Sequence, residues 1–181
     1  MKPVDLGPVD RITADAIGEP GMRVFYLQVR AGERLITVIV EKQQVQLLAH
    51  SVHELLEGEP SGGEQEVRDP AAMELEEPID PRWRAGRLSI GFDAGLGRFA
   101  LEIAEWRPDP GEEASDDPRD AMEGDGEEIT LEASRDQMLA LASHGTDVAA
   151  RGRPTCQFCG NPIDPEGHAC PATNGHRKPR S

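Results

Sequence analysis

The chain has 181 residues, and 34 acidic against 19 basic residues give it a net charge of −15 and a pI near 4.7. Such a surface repels polyanions, which excludes binding of nucleic acid by general neutralisation of phosphates. No run of about eighteen apolar residues occurs, which excludes a membrane-spanning helix, and an aromatic fraction of 4% predicts that part of the chain lies outside any packed core.

The opening Met1-Lys2-Pro3-Val4-Asp5 lacks the apolar stretch of a secretory signal, and the three cysteines all fall within Cys156–Cys170. Clustered cysteines in an unsecreted chain read as metal ligands rather than bridges, so a cytoplasmic protein is expected. The first predicted element is a strand over Arg11–Ile17, stopped by the turn cluster Gly18-Glu19-Pro20-Gly21. Arg23–Val29 is dense in β-formers, and a turn at Ala31-Gly32-Glu33 leads into Arg34–Val40, so these two form a hairpin. A helix follows over Lys42–Glu57, its inward face marked by Val45, Leu48, Ala49, Val52, Leu55 and Leu56.

Residues 57–80 then hold nine acidic residues and one arginine, with Pro and Gly and no apolar period, and read as a mobile acidic insertion. Beyond it the same order returns. Arg87–Phe92 and Arg98–Trp106 alternate as strands around the turn Asp93-Ala94-Gly95-Leu96-Gly97. A second acidic insertion over 107–128 precedes a short strand, Glu128–Ala133. Ser134-Arg135-Asp136-Gln137 forms a capping box for a last helix carrying Met138, Leu141, Ala142 and Val148, with Gly145 as its weak point.

The halves also match locally. Phe25-Tyr26-Leu27-Gln28-Val29 parallels Phe99-Ala100-Leu101-Glu102-Ile103, and the helix starts at Lys42-Gln43-Gln44 and Arg135-Asp136-Gln137 align. The expectation is an α+β fold: a duplicated core over 1–150, built of two tandem strand-strand-strand-helix units forming antiparallel sheets. The strands at 23–29 and 34–40 are apolar on both faces, so helices should cover one side and a second sheet or a partner subunit the other.

The tail, 151–181, carries a net charge of +3 and the spacing Cys156-x2-Cys159-Gly160, followed by His168-x-Cys170. Two thiolates two residues apart, with glycine at the turn, make half of a zinc knuckle, and the second pair completes a four-ligand set. Cys156, Cys159, His168 and Cys170 are therefore the candidate ligands of a closed, structural Zn2+ site, with His176 as an alternative fourth ligand. Zinc would supply the folding energy of so small a module, roughly 10–16 kcal/mol in structural zinc peptides.

No catalytic set emerges. His50, His53 and Glu54 have neither H-E-x-x-H nor inverse spacing and read, like His144, as solvent-side helix residues. Gly95-Leu96-Gly97 lies in a hairpin turn with no helix after it, unlike a phosphate loop. The basic end His176-Arg177-Lys178-Pro179-Arg180 is the one place where nucleic acid could dock.

The run Arg11-Ile12-Thr13-Ala14-Asp15-Ala16-Ile17-Gly18-Glu19-Pro20-Gly21, the stretches Phe25-Tyr26-Leu27-Gln28 and Glu41-Lys42-Gln43-Gln44, and the ending Gly167-His168-x-Cys170-Pro171-x-x-Asn174-Gly175-His176 resemble an actinobacterial family labelled domain of unknown function 3090. The resemblance covers nearly the full chain and implies a cytoplasmic protein of an actinobacterium, with no activity to carry over. The functional expectation is a non-enzymatic protein-binding or adaptor module, with a protein partner or self-association and no membrane. The alternatives are an enzyme or small-molecule binder with a pocket between the halves, and a nucleic-acid-associated protein acting through the basic tail.

Overall fold

The computed structural model describes residues 3–57, 70–107, 126–152, 156–159, 163 and 170. Seven strands and two α-helices follow in the order β1 (Val4–Pro8), β2 (Arg11–Ile17), β3 (Val24–Ala31), β4 (Arg34–Val40), α1 (Lys42–Leu56), β5 (Pro81–Asp93), β6 (Arg98–Glu105), β7 (Glu128–Ser134) and α2 (Arg135–Ala150). The fold is α+β, as the alternation of extended and helical periods predicts.

Two antiparallel meanders, β2-β3-β4 and β5-β6-β7, are each followed by a helix. They do not form separate sheets. A parallel pair, β4 with β5, joins them into one seven-stranded sheet, β1-β7-β6-β5-β4-β3-β2, and β1 adds a second parallel pair on β7. The strand β1 was not legible in the sequence, because Val4–Pro8 is short and contains both glycine and proline.

The two ends of the sheet meet in the chain. Only Val9 and Asp10 separate β1 from β2; Val9 N donates to Glu132 O on β7, and Asp10 N donates to Arg30 O on β3. Ladder bonds thus pass from one end strand to the other through Val9 and Asp10, and the chain itself closes the order of strands into a ring. The long strand β5 makes the same passage in the other half, pairing first with β4 and then, from Ala85 on, with β6, with an irregularity between Ala85 and Arg87.

The two units correspond in register. Phe25 pairs with Val40 and Phe99 with Ala133, and in each case the helix begins two residues later, at Lys42 or Arg135. Asp5 and Pro8 pair with Thr130 and Glu132, as Pro81 and Arg84 pair with Thr37 and Ile39, so each parallel joint skips one residue at the same place. Each helix has a capping box closed by glutamine. The Gln137 amide also donates to Val9 O and Asp10 O at 2.9 and 3.0 Å, and the Gln44 amide to Ala85 O and Gly86 O at 3.3 and 3.2 Å. These glutamines satisfy the carbonyls at the two bends, where ladder pairing is interrupted.

One continuous core joins both units. Leu27, Val29 and Val38 of the first and Phe99, Leu101, Ile103, Ile129 and Leu131 of the second pack with Val45, Leu48 and Val52 of α1 and Met138, Leu141 and Ala142 of α2. Of the predicted inward face of α1, Leu55 alone is left partly in solvent.

The strands differ in how their outer face is covered. Along β6 and β7 burial alternates strictly, whereas β2, β3 and β4 bury Thr13, Gln28 and Thr37 on the face away from the helices. No second sheet does this among the described residues. The cover is the end of the first acidic insertion, a 3-10 turn at Pro70–Met73 and the extended residues after it, with Met73 buried. The expectation of a mobile insertion over 57–80 is therefore corrected for residues 72–76, which lie along the sheet as a strap. Residues 58–69 and 108–125 lie outside the described set.

The strap holds by polar contacts that no apolar period could signal. Thr13 Oγ1 donates to Met73 O, Gln28 Nε2 donates to Glu76 O at 2.9 Å, and Glu76 N donates back to Gln28 Oε1 at 2.8 Å. Arg11 donates to the carbonyls of Ala72 and Glu74. The Glu76 carboxylate accepts from Arg30 and lies 3.1 Å from Arg11 Nη1. The Arg30 guanidinium holds the Glu76 carboxyl below the usual carboxylate range, helped by the charge of Arg11.

Candidate metal centre

Beyond α2 the chain turns at Cys156–Cys159, and Cys170 returns to it. The Sγ atoms of Cys156, Cys159 and Cys170 all lie within 4.8 Å of one another, and the Cys156 and Cys170 sulfurs are 3.7 Å apart. Cys156 and Cys170 are buried and Cys159 is half-buried. A separation of 3.7 Å is far beyond a disulfide bond, which is about 2.05 Å long. Three thiols gathered so closely, two of them away from water, can bind a metal. Between the first two, Phe158 stands 74% exposed although it is the one large apolar side chain of the turn.

The sequence-predicted ligands Cys156, Cys159 and Cys170 are thus brought together. His168 and the alternative His176 lie outside the described residues, as does the basic end at 176–180.

The other histidines are apart from the cluster. His50 and His53 are exposed on α1, and His50 Nε2 is 3.7 Å from the Glu54 carboxylate, an i,i+4 contact on a solvent face. His144 differs from the expectation of a solvent-side residue. Its side chain is 12% exposed, its Nε2 is buried without a hydrogen-bond partner, and that atom lies 3.7 Å from Asp15 Oδ2 on β2. The cause is the next residue. Gly145 has no side chain, and a Cβ there would come 2.9 Å from Val45 Cγ1, so α2 approaches α1 and β2 closely and carries His144 inward. At Gly95-Leu96-Gly97 the amides of Gly95 and Leu96 donate to Asp93 Oδ1, and Gly97 adopts φ 63°, so these glycines serve the hairpin turn.

A cleft of about 360 Å³ opens where α1 begins, between the ends of β3 and β4, Arg84 of β5 and Gly152 beyond α2. Its residues come from four separate stretches of the chain, so no local motif announced it. None of the described helices is long and apolar enough to cross a membrane.

These observations define an α+β protein whose C-terminal cysteines converge into a three-thiol cluster able to bind a metal. Within that class the chain belongs to the family described as protein of unknown function (DUF3090), whose model matches residues 5–170. The matched span ends on the third cysteine and so contains the whole cluster. No curated protein and no solved structure matches the chain.

Proposed function

We propose that the protein is a zinc-stabilised binding protein of the actinobacterial cytoplasm, in which the C-terminal module docks another protein. The exposed Phe158 carries the docking reading. A zinc knuckle is too small to bury all its apolar residues, but a structural role alone gives no reason to raise an aromatic ring between two ligands. Aromatic anchors of this kind dominate the energetics of protein interfaces.

The thiol geometry supports zinc. A tetrahedral ion with Zn–S bonds of about 2.3 Å sets its sulfurs about 3.8 Å apart, and the Cys156–Cys170 separation is 3.7 Å. Soft thiolates favour zinc over hard cations, and His168, two residues before Cys170, would close the site. A closed Cys3His site has no open position for substrate, so the metal organises the module and leaves Phe158 to make contact. The two units, equivalent in register, are read as copies of one ancestral strand-strand-strand-helix unit.

The test is metal content and capture together. The purified chain is expected to hold one zinc ion, and Cys156→Ser to lose it. In capture from an actinobacterial lysate, a partner that is held by wild type and lost from both Cys156→Ser and Phe158→Ala supports docking by the module. A partner retained by Phe158→Ala places the contact elsewhere and overturns this reading, while zinc content near zero overturns the metal.

A further inference from the structure

The cleft at the start of α1 is a local reversal of the molecule's charge. Arg23, Lys42 and Arg84 line it against one carboxylate, Glu41, in a chain whose net charge is −15. Glu41 is already engaged, since its Oε1 lies 2.6 Å from Arg84 Nη1 and its side chain caps the first turn of α1. Two cations are left over. Lys42 is exposed and makes no ion pair with any of the described residues. Arg23 donates from Nη1 to Val148 O at 3.2 Å, while its Nε is buried with no hydrogen-bond partner. An unpartnered buried guanidinium N–H costs stability unless something accepts from it.

The correspondence between the units shows that this arrangement is particular to the first. Val24 and Ile39, which line the cleft, occupy the places that Arg98 and Glu132 hold in the second unit. There Arg98 Nη1 and Glu132 Oε2 lie 3.7 Å apart and neutralise each other. The first unit thus has two apolar side chains beside uncompensated cations where its counterpart has a self-contained ion pair. A volume of about 360 Å³ falls at the small end of ligand clefts, which run from about 300 to 1,000 Å³.

We propose that this cleft binds a small organic anion, with one phosphate or carboxylate group held by Arg23 and Lys42 and an apolar body resting on Val24 and Ile39. The site is separate from the cysteine cluster and does not depend on the docking role of the tail.

Phenyl phosphate, inorganic phosphate, benzoate and benzyl alcohol serve as probes, titrated into the full-length chain while backbone amide resonances are followed. Phenyl phosphate or benzoate is expected to bind saturably, with the largest shifts at Arg23, Val24, Ile39 and Lys42. The one that binds names the head group, and the neutral alcohol should leave these resonances in place. Inorganic phosphate, lacking the apolar body, should bind about tenfold more weakly than phenyl phosphate, equivalent to about 1.4 kcal/mol.

Lys42→Gln, at an exposed position without a partner among the described residues, should weaken binding about tenfold with the fold intact. Val24→Arg combined with Ile39→Glu, which installs the counterpart's pair, should abolish it. The proposal is overturned if neither anion gives saturable shifts at these residues, or if either variant binds like wild type.

Discussion

Gly145 lies where α2 packs against Val45 of α1, and two residue-scale effects compete there. In a solvent-exposed helix, alanine in place of glycine gains about 1 kcal/mol from helix propensity. Here the new Cβ would sit 2.9 Å from Cγ1 of Val45, a fully buried β-branched side chain with little freedom to turn aside. Overpacking of that kind costs about 1–3 kcal/mol, so the steric term wins. Gly145→Ala should lower stability by roughly 1 kcal/mol, or about 2–4 °C in thermal midpoint. Introduced into a Val45→Ala background, the same change should become neutral or stabilising, because the clashing methyl is gone. A midpoint that rises for Gly145→Ala alone would show that the helices have room to part. The sequence showed this glycine as a defect of the helix, because propensity is local and the neighbour that explains it is about a hundred residues away.

At the scale of elements, the informative contrast is between strands whose outer face is open and strands whose outer face is covered. The alternation of Phe99, Leu101 and Ile103 was readable because it reports a sheet with one wet face. The double burial of β3 and β4 was readable too, but the identity of the cover was not. The strap is acidic and lies between Pro70 and Pro78, and it docks through backbone carbonyls, the Glu76 amide and one carboxylate, so its composition matches that of a solvated loop.

Glu76 is the charged link in this strap, and its carboxyl pKa is lowered in the fold, first by the hydrogen bond from Arg30. Its contribution is therefore fully present above the unfolded value, about 4.3, and is lost as the pH falls through the lower folded value. Amide exchange at residue 76, whose N–H donates to Gln28, reads the docking directly. At neutral pH, Glu76→Gln should exchange with a several-fold lower protection factor than wild type. The difference should shrink as wild type is taken below about pH 4. Equal protection in the two proteins at neutral pH would mean that the carboxylate adds nothing to docking.

For the molecule as a whole, the ring of strands and the cysteine cluster pose a question of independence. The order of elements from β2 onward, both helix faces and the capping box of α2 could be read locally, because each rests on spacings within one segment. The parallel joints and the ring closure could not, since they depend on which distant strands meet. The continuous core runs from Val9 to Ala149, and the two buried cysteines are not part of it. Every strand and helix of the ring is complete by Ala150. A metal bound there would therefore add its free energy to the folding of the tail, with very little of that energy available to stabilise the ring. Chelation should make the chain beyond Ala150 susceptible to protease while the thermal midpoint of the remainder, followed through near-ultraviolet dichroism of the core, moves by less than about 2 °C, or under 1 kcal/mol. A larger fall on metal removal would mean that the tail packs on the ring as a structural element, and the cysteine cluster would then be a staple of the whole fold.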